Sequence, residues 1–144
     1  MQLKDFDFRL WHKPSESFVE IRGGFLTANA KDAIVFEKSL IVPIDDENIE
    51  IELWSGFYDC KGTKIYEGDI VKYSSRTNPL VAVFERSTFY IVDTSIKKHL
   101  QVDCGTRLQG IYDNRSNGYK DKNLECLEVV GNIHENVELL KDKK

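Results

Sequence analysis

Cysteine is scarce in this chain and long apolar runs are missing, and each shortage removes a class of protein. The 144 residues hold three cysteines, Cys60, Cys104 and Cys126, odd in number and without a CxxC pair, which argues against a disulfide framework and leaves them as core or incidental thiols. No stretch approaches the ~18 consecutive apolar residues of a membrane span. The first residues, Met1 to Asp7, lack the apolar core of a signal peptide. The expected compartment is therefore the cytoplasm, with no membrane partner, and the glycosylation sequon Asn114-Arg115-Ser116 has no consequence there. Strong charge is missing as well. A net charge of −4 directs the chain neither to nucleic acid nor to an anionic membrane.

What is present suits an ordinary folded domain. The chain is long enough to bury a core, and an aromatic share of 11% argues against disorder. Charge is unevenly spread. Residues 1–53 carry 11 acids and 6 bases, whereas residues 54–144 carry 13 acids and 14 bases. Any polyanion site belongs in the second part.

Alternation of apolar and polar residues from Phe6 to Trp11 predicts a strand, and His12 to Ser17 reads as a turn into Phe18–Arg22, making a hairpin. Residues 29–39 fit either a short helix capped by Asn29 or a strand through Ile34-Val35-Phe36. Pro43 and Asp45-Asp46-Glu47 mark a surface loop and the best linker, after which Ile49 to Leu53 alternates as a strand. Further β-prone runs fall at 64–73, 80–85, 88–93, 98–103, 106–112 and 124–133. Residues 113–123 are polar without periodicity and read as a long mobile loop. Asn136 is placed to cap a last helical turn carrying Leu139 and Leu140. The fold expected is mainly β: a hairpin-containing sub-domain over 1–53 packed on a small antiparallel barrel over 54–144, with one or two short helices.

Three blocks, in order, resemble the YopX family of small phage and prophage proteins. They are Phe8-Arg9-Leu10-Trp11, the central run from Gly56 through Asp59, Gly62 and Ile65-Tyr66-Glu67-Gly68-Asp69-Ile70-Val71, and the tail from Glu128 to Leu140. The resemblance implies a mainly β, self-associating protein of a bacterial host cell, and brings no established enzymatic activity. This chain departs from the family pattern at Trp54-Ser55, at Cys60, and at Val137, where proline often opens the last helix.

Glu67 and Asp69 lie two residues apart, so an extended chain sets them on one face roughly 6–7 Å apart, a spacing compatible with paired carboxylate chemistry or a divalent cation. The structural alternative is that Asp69, following the Gly68 bend, accepts backbone N–H bonds. Residues 113–125 offer Asp113, Asn117 and Gly118 at calcium-loop positions, but Arg115 and Leu124 occupy ligand positions, so that reading fails. His12, His99 and His134 complete no zinc spacing with the cysteines. No cofactor or metal is expected. Arg107, Arg115, Lys120 and Lys122, interleaved with Tyr112 and Tyr119, have the composition that holds single strands, although Asp113, Asp121 and Glu125 offset much of the charge. Trp11, Trp54, Phe57 and Tyr66 fit a core or a subunit interface better than an exposed patch.

The function these observations favour is a non-enzymatic phage or prophage accessory protein that binds a macromolecular partner and forms a homo-oligomer. Trp11, Trp54, Tyr66 and Asp69 are its candidate fold and assembly residues, and Arg115, Tyr119, Lys120 and Lys122 its candidate ligand contacts. One alternative is a β-barrel binding single-stranded nucleic acid or RNA in phage replication or regulation. Another is a metal-assisted hydrolase built on Glu67 and Asp69.

Overall fold

The computed structural model describes residues 7–19, 26–30, 33–36, 40–43, 47–73, 78–113 and 123–141, the segments between 26 and 43 as backbone alone. Its contacts divide the chain into two units, Met1–Leu53 and Trp54–Lys144. Strands dominate both units, and the fold is mainly β.

In the first unit, β1 (Phe8–His12) and β2 (Ser17–Phe18) form the hairpin expected from the alternation. Next, β3 (Leu26–Ala30), β4 (Ala33–Phe36) and β5 (Leu40–Pro43) form a three-stranded antiparallel sheet, so the 29–39 region resolves as strand wherever it is described. Branched residues suit it: Ile34 pairs with Val42, and Val35 with Ile41. Pro43 ends the outer strand β5, and the edge of a sheet is where a residue without an N–H is tolerated. The acidic linker residues Asp45 and Asp46 lie outside the described residues.

β6 (Ile49–Tyr58) pairs over its first five residues with β1, setting Phe8 opposite Leu53 and Leu10 opposite Ile51. Phe8 and Leu10 are buried against Val19, Ile49 and Leu53. Arg9 faces Glu52 across the ladder, and their ion pair spans 2.8 Å with the Glu52 side chain only 6% exposed. The Arg9 guanidinium also stands 4.6 Å from the Phe18 ring centre.

In the second unit, the later residues of β6 pair with β7 (Lys64–Tyr66) through a register shift at Gly56, whose φ of +87° suits glycine. A five-stranded antiparallel sheet follows. It is built from β8 (Asp69–Lys72), β9 (Leu80–Glu85), β10 (Thr88–Val92), β11 (Thr106–Arg107) and β12 (Glu128–Asn132), in the order β11-β10-β9-β8-β12.

Period-two alternation sends successive side chains of this sheet to opposite faces, and both faces are apolar. Val71, Ala82 and Ile91 join Ile65, Leu108, Leu124 and Leu127 on one face, while Ile70, Val81 and Val92 join Val102 on the other. Ile65, Ile70, Ile91, Leu108, Leu124 and Leu127 are fully buried, at roughly 1.5–3 kcal/mol of stabilisation each.

Two of the expected strands are helical. Residues 98–103 hold α1 (Lys98–Gln101). Of this run Val102 alone is buried, so a second buried strand position never arises. Asp93 accepts from Ser95 N–H and Oγ at 2.9 and 2.6 Å, and Gln101 donates to the Ile96 carbonyl at 3.1 Å, which winds the entering chain. Residues 106–112 keep only β11 extended, then form α2 (Leu108–Asp113). Leu108, Ile111 and Tyr112 recur at i, i+3 and i+4, so one helical face meets the core. The 124–133 run is strand only from Glu128, because Leu124 to Leu127 close a turn.

The last turn, Val137–Leu140, is a 3-10 helix, but the Asn136 side chain caps none of its N–H groups. Asn136 Oδ1 instead accepts the Asn132 N–H at 3.2 Å. Of the two readings of the thiols, core or incidental, core packing fails, since Cys60, Cys104 and Cys126 are all exposed.

Candidate functional site

The family-like blocks of the second unit converge on two buried carboxylates. Asp59 is 1% exposed. Its Oδ1 accepts the N–H groups of Lys61 and Thr63 at 2.9 and 2.8 Å, and its Oδ2 accepts the Val129 N–H at 2.9 Å. Asp69, 3% exposed, takes the Tyr66 N–H on Oδ2 at 2.8 Å across the Glu67-Gly68 turn, where Gly68 has a φ of +87°. Backbone N–H donors are the partners that let a carboxylate stay in a protein interior.

The tail block is built the same way. A Cβ at Gly131 would stand 2.6 Å from Asn136 Oδ1. Only glycine lets Asn136 fold back onto the Asn132 N–H. Asn132 Oδ1 accepts the N–H groups of His134 and Glu135, and the Ile133 N–H donates to the Gly68 carbonyl at 2.9 Å. The motif residues thus knit turn to turn.

The candidate assembly residues are placed as follows. Trp11 is buried, edge-on to Phe18 at 4.9 Å. Trp54 bends over its own bulge: Nε1 donates to the Phe57 carbonyl at 3.0 Å, Tyr58 lies at 5.4 Å, and Lys64 Nζ stands 4.6 Å above the ring. Tyr66 pairs with Trp54 across the ladder. Tyr112 packs on Phe57 at 5.4 Å as part of the core. The candidate ligand contacts Arg115, Tyr119, Lys120 and Lys122 lie outside the described residues.

Among the described residues, no three His, Cys, Asp or Glu side chains converge where one metal ion would bind. Within the first unit, Ser15 Oγ lies 2.6 Å from His12 Nδ1. That nitrogen also takes the Ser15 N–H at 3.2 Å, so the pair closes an exposed hairpin turn.

The concave feature of the second unit is a cleft of about 1110 Å³. It takes shape at the β9–β10 hairpin, whose central residues Arg86 and Ser87 have φ of 52° and 59°. Two left-handed residues match the twist of a two-residue hairpin, although asparagine and glycine adopt them more cheaply. Phe84 and Phe89 pair at 4.8 Å below the turn, and Arg86 reaches Asp103 at 3.0 Å. Gly105 sets the floor: a Cβ there would meet Val92 Cγ1 at 2.9 Å and the Gln101 carbonyl at 3.0 Å. The chain after α1 can therefore lie close on β10 before turning into β11 and α2.

Tyr90, Ile111 and Leu124 provide apolar lining, while Arg86 and Arg107 stand with Asp103 and Glu125 as opposing charges. A smaller recess of about 270 Å³ shares Glu125 and Cys126 with the cleft and adds Cys60, Tyr73 and Glu128. Burial pushes the Tyr73 hydroxyl up, against a hydrogen bond with Thr106 that lowers it.

Of the cleft's lining, the sequence pointed to Arg107 only as part of a basic, aromatic composition, and it overlooked Arg86 and Tyr90. The signal available for Arg86 was its position between two β-prone runs. For Asp59 it was the Asp-x-x-Gly spacing of a turn.

A family model described as YopX protein matches residues 7–141. The crystal structure of protein EF1440 from Enterococcus faecalis is similar in fold, with a TM-score of 0.53 and 22% identity, over 94% of this chain and 98% of that one. No curated protein matches the sequence. No helix among the described residues is long and apolar enough to cross a membrane.

Proposed function

This chain belongs to the YopX family, and from that premise we propose that it is a phage-type accessory protein that works by binding, holding a segment of a partner protein in the cleft of its second unit. The observation that carries this reading is the lining. Apolar side chains alternate there with two arginines and two acids, a balance that matches a mixed polypeptide better than a polyanion. β11, at the end of the sheet, borders the cleft through Thr106 and Arg107, and an end strand gives an extended segment a backbone ladder to join.

A second copy of the chain is one source of such a segment, which makes self-association part of the proposal. The single-strand reading draws on Tyr90 beside Arg86 and Arg107, since an aromatic ring and guanidinium groups are what unpaired bases use. Asp103 and Glu125 weigh against it. For the hydrolase reading, the bond from the Tyr66 N–H to Asp69 Oδ2 supports a structural role for that carboxylate.

Light scattering at low and high salt, with absorbance read at 260 and 280 nm, separates these readings. Peptides selected from a random library against the purified protein complete the test. The expected result is clean protein whose selected peptides, or whose own dimer contact, lose at least tenfold in affinity in Tyr90→Ala and Arg107→Glu. Nucleic acid that co-purifies, is released by salt and is lost in Arg86→Ala with Arg107→Ala would overturn the reading in favour of single strands.

A further inference from the structure

The turn that buries Asp59 is also bonded to a second turn, and each of the two carries a cysteine. Cys60 occupies the second position of the Asp59–Gly62 turn, closed by the Gly62 N–H on the Asp59 carbonyl at 3.1 Å. Cys126 occupies the third position of the Leu124–Leu127 turn, closed at 3.0 Å.

Three hydrogen bonds hold these turns against each other. The Leu124 N–H donates to the Tyr58 carbonyl at 2.6 Å, the Cys60 N–H to the Leu127 carbonyl at 2.9 Å, and the Val129 N–H to Asp59 Oδ2 at 2.9 Å. Cys60 is thus bonded to the residue next to Cys126, which brings the two backbones into the range where the roughly 4.4–6.8 Å between Cα atoms that a disulfide needs can be met. Both cysteines are free and exposed, and both line the recess of about 270 Å³.

We propose that Cys60 and Cys126 are a redox-active pair that closes into an intramolecular disulfide across this recess. The oxidant is a small disulfide such as oxidised glutathione. The Cys60 thiolate attacks one sulfur of that disulfide, forming a mixed disulfide and releasing one glutathione thiolate. Cys126 then attacks the Cys60 sulfur, forming the protein disulfide and releasing the second. The protein loses two electrons and two protons, and the glutathione disulfide is reduced to two thiols.

The surroundings set the pace. Partial withdrawal from water, then the charges of Asp59 and Glu128, push the Cys60 thiol up. Partial withdrawal from water, then the neighbouring Cys60, pushes the Cys126 thiol up. Little thiolate is present at neutral pH, so closure is slow there and quickens in mildly alkaline solution. Cys126 also lines the large cleft, so closure ties one wall of that cleft to the Asp59 turn.

The test treats the full-length protein with oxidised glutathione, alkylates what remains, and measures intact mass and proteolytic peptides. The expected product has the mass of a single chain less two hydrogens, retains one alkylatable thiol at Cys104, and yields a peptide joining Cys60 to Cys126. Its Tm rises and returns on reduction, because a cross-link between distant positions restricts the unfolded chain. Cys104→Ser leaves closure intact. Cys60→Ser and Cys126→Ser each stop at a glutathione adduct, a readout that does not depend on an unoxidised fold being more stable. Stable glutathione adducts on both cysteines of the unmutated protein, or cross-linked dimers in place of the internal bond, would overturn the proposal. Neither outcome depends on whether the cleft binds a protein segment.

Discussion

Each unit buries acid, and each does so differently. In the first, Glu52 is neutralised by Arg9, a side chain of opposite charge across a ladder. In the second, Asp59 is held by three backbone N–H groups, two from the residues just after it and one from strand β12. A charge pair is a bond between two replaceable side chains. A carboxylate ringed by main-chain donors fixes the path of the backbone itself, so its removal leaves several donors in the interior without a partner.

The two tryptophans allow this comparison to be tested, because Trp11 reports on one unit and Trp54 on the other once the second tryptophan is replaced by phenylalanine. The largest effect is expected from Asp59→Ala, about 4 kcal/mol of destabilisation from stranded N–H groups, read as a lowered urea midpoint of the Trp54 signal. An equal fall in the Trp11 signal would break the comparison, since the two units would then unfold as one.

Glu52→Ala is expected to cost about 3 kcal/mol, read by Trp11. Here a double-mutant cycle sharpens the contrast: Arg9→Met with Glu52→Leu should recover most of that loss. No side-chain exchange recovers Asp59→Ala, because its partners are backbone groups.

Gly131→Ala forces a Cβ against Asn136, and about 2 kcal/mol of destabilisation is expected. Combining it with Asn136→Ala should remove much of the penalty. The smallest effect runs the other way. Ser87→Gly relieves a left-handed backbone at the cleft hairpin and is expected to stabilise by about 0.5–1 kcal/mol, with a raised midpoint by Trp54 and no change by Trp11.

Much of the mainly β fold was legible because its signal is local. Alternation through Phe8-Arg9-Leu10-Trp11 and the β-prone run Phe89-Tyr90-Ile91-Val92 are printed in the sequence, and the glycines at 62 and 68 mark real turns. What alternation could not reveal was a sheet covered on both faces. There an apolar residue at every position reads the same as a buried helix, and the helix after Arg107 was taken for strand even though Leu108, Ile111 and Tyr112 carried helical spacing.

The candidate site was less legible for a related reason. Arg86 and Tyr90 gain their meaning from the approach of Asp103 and Arg107 along other segments, and a linear reading cannot see that approach. Asp59 stands out in the sequence only as part of the central family-like run, because its third donor, Val129, lies far away in the sequence. The basic residues favoured in advance, Arg115, Lys120 and Lys122, drew notice by composition alone and fall outside the described residues.

The bond from Val129 to Asp59 has a consequence for solubility. Strand β12 ends the five-stranded sheet, and its N–H at Val129 and the carbonyl of Leu127 just before it are taken by Asp59 and Cys60. An outer strand with open backbone groups is a template for adding strands from other molecules. The Asp59 turn acts as a cover on that template. A chain without it would do more than melt earlier: while still largely folded, it would present an adhesive rim, and its failure would be seen first as aggregation that grows with concentration.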